Sequence, residues 1–411
     1  MCMRSLAAVM CVAVLVWPSS ASAQPVPPLP SPLSFDAARA FADAHNPAID
    51  ASARGLTIRE AGIRAAGQRP NPSVGAEVSR DSPHQTLTLD VPFEVGGQRR
   101  RRIELAQGEL TLAGVDLQAS RRMVRRQLRE EFFGLLAADE QLRLAESILD
   151  VATRVRDAAQ ARFEAGAVPR LEVMQAALGV SRADADLDAA RSARVTAQAR
   201  LNGVLGLPPR QPVTLQGTLP DHTAAPGYDA AIAGASTSNT DLVGLDRQIE
   251  MAGRRLALLR AERMPAPVFS VSGLFHSPGD FTAAPSAAVN IGLPLFSRNQ
   301  GEIAAAIATT AQLRGQREAT RRIVETAVFS ASARVDAARR RVDTVTNRLL
   351  PVATELEALS EESYRAGRTS VLGLLDAQRS LRDLSRDAVQ AGLDLQLALA
   401  ELEDLLGTPL P

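Results

Sequence analysis

Residues 103–149 read IELAQGELTLAGVDLQASRRMVRRQLREEFFGLLAADEQLRLAESIL, and this stretch decides the fold. Apolar residues fall seven apart at Ile103, Leu110, Leu117 and Val124, then, after one step of four, at Leu128, Leu135, Leu142 and Leu149. A heptad repeat with a single four-residue stutter describes a coiled coil whose supercoil locally relaxes. Small residues follow most of these positions by three, at Ala106, Ala113, Ser120, Ala138, Ala145 and Ala152, so a partner helix can approach closely. No proline occurs between Pro92 and Pro169, and Gly166 followed by Pro169 supplies a stop and a turn. The pattern predicts one helix over 98–163, ~100 Å long at about 1.5 Å per residue, and a return helix over 170–205.

Composition fits such a rod. Only 3% of the 411 residues are aromatic, which suits long packed helices better than mixed globular cores. The 46 basic residues, all arginine, balance 46 acidic ones, and a formal charge of zero argues against a nucleic-acid binder. The run Arg99-Arg100-Arg101-Arg102 reads as a solvated helix start beside a membrane surface, with a phosphate or lipid-headgroup patch as the sharper alternative. Residues 1–23 have the form of a secretory signal: Arg4, an apolar run from Leu6 to Trp17, and Ala21-Ser22-Ala23 as a cleavage site. A lipoprotein reading through Cys11 is weak, because Met10 precedes it. Cys2 and Cys11 would leave with the signal, which removes disulfides and thiolate chemistry from the mature chain. After the signal no apolar run is long enough to make a membrane-spanning helix, so any crossing must be by β-barrel.

Taken in order, residues 24–34 form a proline-rich leader without a core of its own, and the first repeat covers 35–208. A short helix begins at Phe35-Asp36-Ala37-Ala38, and another follows Asn46-Pro47, an Asn cap with proline at the first helical position. Pro70-Asn71-Pro72 then breaks the helix. Val74, Ala76 and Val78, and, after a turn at Asp81-Ser82-Pro83, Leu87, Leu89 and Val91, alternate with polar neighbours and predict a hairpin over 73–93. The long and return helices follow. A Pro/Thr/Gly-rich linker over 209–227 leads to a second repeat over 228–411. There Tyr228-Asp229-Ala230-Ala231 echoes Phe35-Asp36-Ala37-Ala38, and Asn239 echoes Asn46 at the same interval. Pro265 and Pro267 echo Pro70 and Pro72. A hairpin is expected over 268–296 with a turn at Ser277-Pro278-Gly279, a long helix over 299–364 kinked or opened at Pro351, and a return helix over 371–405. Leu402 to Pro409 matches Leu201 to Pro208, and duplication is the economical explanation.

The fold class is therefore mainly α with a β-barrel contribution. The short and return helices placed end to end, ~33 and ~54 Å, nearly equal the unbroken helix, so each repeat makes a two-layer helical wall. Four strands per chain cannot close a barrel that in bacterial outer membranes needs about eight or more. Lipid does not tolerate open sheet edges, so several copies should share one barrel.

With the duplication, Asn46-Pro47, Pro70-Asn71-Pro72, Leu350-Pro351, Tyr364/Gly367 and Asp376-Ala377-Gln378 in view, the chain resembles the TolC family of outer-membrane efflux ducts over residues 34–406. The junction Val91-Pro92-Phe93-Glu94-Val95-Gly96-Gly97-Gln98-Arg99 is similar to that of the CzcC-like branch, which serves heavy-metal cation exporters. The resemblance implies a homotrimer with a 12-stranded barrel and a periplasmic helical tunnel. It also implies a periplasmic adaptor (membrane fusion protein) and an inner-membrane RND-type pump as partners, with no cofactor. Residue by residue, Gly166 and Gly367 match the tip turns that dock the adaptor. Tyr364 matches a tip tyrosine of the closed entrance, Glu172 an acidic latch position, and Asp376 one of two constriction carboxylates, the other position being Gly373 here. Thr369 stands at a latch arginine position, for which Arg368 could substitute.

Other readings carry less. His45, His84, His222 and His276 are scattered without ligand spacing, so no metal site is expected. No phosphate loop, nucleophile elbow or Cys-His pair appears, and Asp184, Asp186 and Asp188 read as a solvated helix face, so no enzyme is expected. The alternatives are a multidrug or other small-molecule duct, and a periplasmic coiled-coil scaffold without a channel. The paired hairpins speak against the scaffold.

Overall fold

The computed structural model describes residues 29–80, 85–219, 225–275 and 283–410. The signal, most of the leader, the two hairpin turns, and His84, His222 and His276 lie outside these residues. The first repeat runs α1 (Phe35–His45), α2 (Pro47–Ala66), β1 (Ser73–Val78), β2 (Gln85–Pro92), α3 (Gln98–Glu164) and α4 (Arg170–Leu205). The second runs α5 (Tyr228–Ser238), α6 (Thr240–Ala261), β3 (Val268–Phe275), β4 (Ala283–Asn290), α7 (Gln300–Asp343), a π turn (Thr344–Leu349), α8 (Leu350–Arg365) and α9 (Val371–Leu406).

The heptad seam of α3 buries Leu117, Val124, Leu128 and Leu135, joined by Phe132, Phe133 and Leu136, against α1, α2 and α4. The second repeat builds its own core from Val324, Val328, Val335 and Val342 of α7 and Leu395, Leu399 and Leu402 of α9. Each repeat is stapled by one asparagine. The Asn46 side chain accepts from the Ala48 amide at 2.8 Å while donating to the Val204 carbonyl at 2.7 Å. Asn239 accepts from the Asp241 amide at 3.1 Å and donates to the Leu405 carbonyl at 2.9 Å. One side chain thus caps a short helix and satisfies a carbonyl in the last turn of the return helix. Gly206 and Gly407, both at φ 72°, turn the chain beside these caps, where a Cβ on Gly407 would strike the Ser238 carbonyl.

The repeats are also joined directly. The strands form one antiparallel sheet in the order β1-β2-β3-β4, so β2 of the first repeat pairs with β3 of the second. Buried Arg129 on α3 donates to Gln396 at 3.1 Å and pairs with Glu403 at 3.0 Å on α9, with its guanidinium over the Phe35 ring.

Two sequence expectations are modified, and two are met and given their detail. Pro351 opens the helix without breaking it: lacking an N–H, it sits just past the π turn, and the Leu350 amide reaches back to the Val345 carbonyl. β4 ends at Asn290 although alternation continues through Ile291, Leu293 and Leu295, because its partner strand begins at Val268, immediately after Pro267. The leader end contributes to the core: Leu33 is fully buried, and its amide and carbonyl pair with Thr214 and Gln216 of the linker. The arginine run opens a helix with Arg99 and Arg100 exposed, and its members find partners within the chain. Arg99 donates to the Gly67 carbonyl at 2.6 Å, closing the end of α2, Arg102 pairs with Glu94, and Arg100 and Arg101 pair with Glu104.

Candidate functional site

The far end of the helical wall carries the first candidate site. Both tip glycines adopt the left-handed conformation, Gly166 at φ 71° and Gly367 at φ 70°. The turns are superposable in their bonding: Gly166 N–H to Phe163 and Ala167 N–H to Arg162, Gly367 N–H to Tyr364 and Arg368 N–H to Ser363, all near 2.9 Å. This is the Schellman arrangement, in which two otherwise orphaned carbonyls are satisfied by the turn itself. A Cβ on either glycine would meet nothing, so the tips are open in this protomer and only φ demands glycine.

Just behind the tips, Val155, Ala159, Ala176, Tyr364, Val371 and Leu374 form a third core that brings the two hairpins together. Tyr364 is 3% exposed and its phenol donates to Glu172 Oε1 at 2.9 Å. The Arg162 guanidinium lies 4.7 Å from the Tyr364 ring centroid and 3.8 Å from Glu172. Burial raises the phenol above its ordinary value, and the Glu172 hydrogen bond adds to this. The three groups tie α3 and α4 of the first repeat to α8 of the second.

Sequence reasoning placed Tyr364 and Glu172 at this site and missed Arg162. Arg368 is exposed and has no side-chain partner among the described residues, so it lies outside the network. Its amide closes the Gly367 turn, and the guanidinium beside Tyr364 is that of Arg162 from the other hairpin. Asp376 is exposed on α9, paired only with Arg379 at 3.3 Å, and Gly373 beside it leaves open space. Asp186, read as a solvated carboxylate, bridges α4 to Arg386 of α9 at 2.8 Å, whereas Asp188 pairs along its own helix. Among the described residues no group of three or more His, Cys, Asp or Glu is placed to hold a metal. His45 is accounted for by the Phe41 carbonyl at 3.0 Å and by stacking on the Phe41 ring.

The sheet is the second candidate site, and register separates its faces. Val74, Leu89 and Val271 lie on one row and one face, as do Val78, Gln85 and Phe275. The opposite face carries Thr88 bonded to Ser272 at 3.0 Å, and Ser270 donating to Asp90 at 2.5 Å while accepting from Asn290. Val74, Val78, Leu87, Leu89, Phe269 and Val271 are all exposed. An exposed apolar face opposite a hydrogen-bonded polar one is the pattern of a strand set between lipid and a water-filled interior. No helix is long and apolar enough to cross a membrane among the described residues.

This arrangement coincides with that of known proteins. Residues 41–207 and 235–408 match the family described as Outer membrane efflux protein. The chain belongs to that family. The cobalt-zinc-cadmium resistance protein CzcC of Cupriavidus metallidurans is 29% identical over 357 residues, covering 85% of this chain and 84% of CzcC. The outer-membrane channel OprN aligns with a TM-score of 0.75 at 17% identity, covering 91% of this chain and 90% of that one. The outer membrane protein VceC of Vibrio cholerae aligns at 0.73 and 18% identity, covering 91% and 96%. As a family member the chain is an outer-membrane efflux protein with a periplasmic helical part, a duct class and not an enzyme class. The two family segments are the two repeats, each lacking its extreme ends.

Proposed function

We propose that three copies of this chain close a 12-stranded barrel over a helical tunnel. The tunnel is the passive exit duct for substrates delivered by an inner-membrane RND-type pump through a periplasmic adaptor. The observation that carries this reading is the sheet. Its two outer strands, β1 and β4, each pair on one side only, while one face is apolar and the other polar. Lipid does not tolerate the free edges, and a second and third copy supply the missing neighbours. The crosslinked protein in detergent should run at three times the protomer mass. A stable monomer released without detergent would overturn the reading. The duct performs no catalysis in this scheme.

The cargo is proposed to be divalent heavy-metal cations, supported by the likeness to a protein named for cobalt, zinc and cadmium resistance. Deletion should sensitise cells to those ions. Sensitivity to hydrophobic dyes with metal tolerance intact would favour a multidrug duct instead. The adaptor is proposed to dock at the tips: Gly166→Trp or Gly367→Trp should abolish adaptor pull-down while the barrel still inserts, and unchanged pull-down would remove the tips from the interface.

A further inference from the structure

The duplication gives each element of the first repeat a counterpart in the second, and bonding fixes the correspondence. Asn46 and Asn239 each donate to the last turn of a return helix, at Val204 and Leu405, so these two residues are counterparts. Nine residues earlier in each helix stand Val195 of α4 and Gln396 of α9. The fully buried Leu128 of α3 and Val328 of α7 hold matching seam positions, and they are followed by Arg129 and Phe329. Ring contacts support that match. The Arg129 guanidinium lies 4.8 Å from the ring of Phe35, which opens α1, and the Phe329 ring lies 5.4 Å from that of Tyr228, which opens α5.

Burial separates the counterparts. α3 packs on α2 and α4 and also on α6 and α9, whereas α7 and α8 find their packed neighbours, α5, α6 and α9, within their own repeat. Arg129 and Gln396 meet where α3 adjoins α9, at 3% and 0% exposure, while Phe329 and Val195 stand 59% and 65% exposed at opposite edges of the helical wall. Two large apolar side chains thus occupy the places that, at the seam inside the chain, belong to a covered contact. Ile323 of α7 differs. It and its counterpart Met123 of α3 are nearly equally exposed, so that position stays open even on a helix flanked by both repeats.

The strands carry the same relation. Ser73 pairs with Asp90 and Val268 with Asn290, which aligns β1 with β3 and β2 with β4. Between the repeats, Thr88 lies opposite Ser272 and Leu87 opposite Gly273. Transferred to the two free edges, that register sets Ala288 of β4 opposite Glu77 of β1, and Ala287 opposite Val78. The faces agree: Ala287 and Val78 lie on the apolar face and Ala288 and Glu77 on the polar one, whereas a shift by one residue would mix them.

Resting on the trimeric reading above, we infer that the seam between copies reproduces the seam between repeats. Phe329 on α7 of one copy meets Val195 on α4 of the next, and Ala288 of β4 lies opposite Glu77 of the next copy. The chemistry changes from charged to apolar, because Asn202, the counterpart of Glu403, has its amide committed to the Pro209 and Gln211 carbonyls and α4 offers no acid there. An aromatic anchor in a covered position is the usual centre of such an interface. The difference also keeps the two seams distinct, since α9 would present Gln396 and Glu403 to Phe329.

The test uses the full-length protein in detergent, with the trimer fraction read on native gels. Phe329→Arg should lower the trimer-to-protomer ratio about tenfold or more, because it places an unpaired charge in the seam. Ile323→Arg, equally exposed on the same helix, should leave the ratio unchanged. Val195→Glu added to Phe329→Arg should restore most of the trimer, since the counterpart Gln396 accepts from Arg129 at 3.1 Å; a folding defect would not be rescued in this way. Ala288→Cys with Glu77→Cys should oxidise to covalent trimers, because the counterparts Thr88 and Ser272 hold their side-chain oxygens 3.0 Å apart. Ala288→Cys with Gly75→Cys should link far less, with the single-cysteine proteins as blanks. A trimeric wild type that tolerates Phe329→Arg, suffers equally from Ile323→Arg, shows no rescue, or links better through position 75 overturns this seam and leaves the duct reading standing. A wild type that is not trimeric overturns both.

Discussion

The Tyr364 phenol, on the second hairpin, donates to Glu172 Oε1, on the first, at 2.9 Å, and this bond crosses between repeats just behind the tip turns. Tyr364→Phe keeps the ring over Arg162 and removes only the bond to a carboxylate, so the cost should be about 1.5–3 kcal/mol. If the hairpins part to open the duct, the variant should raise mean conductance and shorten closed dwells in planar bilayers. The pH dependence has a definite sign. The folded phenol is raised above its ordinary value of 10, so its contribution is intact below that pH and is lost as pH rises through the folded value. Opening should therefore increase above pH 10 in wild type and change less in Tyr364→Phe.

Buried Arg129 and Glu403 make a second link between repeats, and its two partners are not equivalent. Desolvation pushes the Glu403 carboxyl up, with Arg129 opposing, so Glu403 can take a proton when its partner is removed. Arg129 cannot lose one. Glu403→Ala should cost about 3–5 kcal/mol, because an uncompensated charge stays buried. Arg129→Met should cost less and show a pH dependence. With the folded carboxyl above its unfolded value, the variant is most stable at low pH and loses stability as pH rises through the folded value. Unfolding midpoints at pH 5 and 7.5 check this; a flat Arg129→Met profile would contradict it.

The sheet predicts a face-dependent response. Leu89→Arg or Val271→Arg puts a charge on the apolar face, which costs ~2–4 kcal/mol near the bilayer midplane. Thr88→Arg and Ser272→Arg, on the hydrogen-bonded face, should insert normally. Heat-modifiable mobility of outer-membrane fractions reads insertion. Equal tolerance of both pairs would reverse or abolish the assignment of faces.

Much of this was legible in the sequence, and the limits have physical causes. The α3 heptads are visible because packing of Leu117, Val124, Leu128 and Leu135 is periodic along one helix. The sheet faces are visible because Leu87 and Leu89 alternate with Thr88 and Asp90. Strand ends are not, because β4 stops where its partner stops and not where its own pattern does. Arg162 was missed for a similar reason: its role at Tyr364 depends on which residues of two distant hairpins meet, and no period within either hairpin encodes that. Leu33 is one of a few scattered apolar residues in a proline-rich stretch, and its burial follows from a bridge to Leu215 that local sequence does not announce. Arg129, by contrast, had a signal. A single arginine between Leu128 and Phe132 on an otherwise apolar seam asks for a buried partner, and the acidic pair at Glu403-Asp404 on the return helix supplies one.

The last prediction concerns Asp376. In the single chain its carboxylate is exposed and only loosely paired with Arg379, which is the state of a group free to face a lumen. If α9 lines the mouth of a trimeric tunnel, three Asp376 carboxylates make a ring, and a narrow low-dielectric constriction concentrates cations there. Conductance should be cation-selective, and divalent ions added on the periplasmic side should block it, since clustered charges favour a multivalent counter-ion. Gly373, whose neighbourhood is open, leaves the adjacent position without a second ring, so block should be weaker than in a Gly373→Asp variant. Asp376→Asn should remove most of it. Arg379→Gln, which frees Asp376 from its partner, should instead strengthen block, a direction that simple loss of structure would not produce. Identical selectivity and block in wild type, Asp376→Asn and Arg379→Gln would place the constriction elsewhere on the wall.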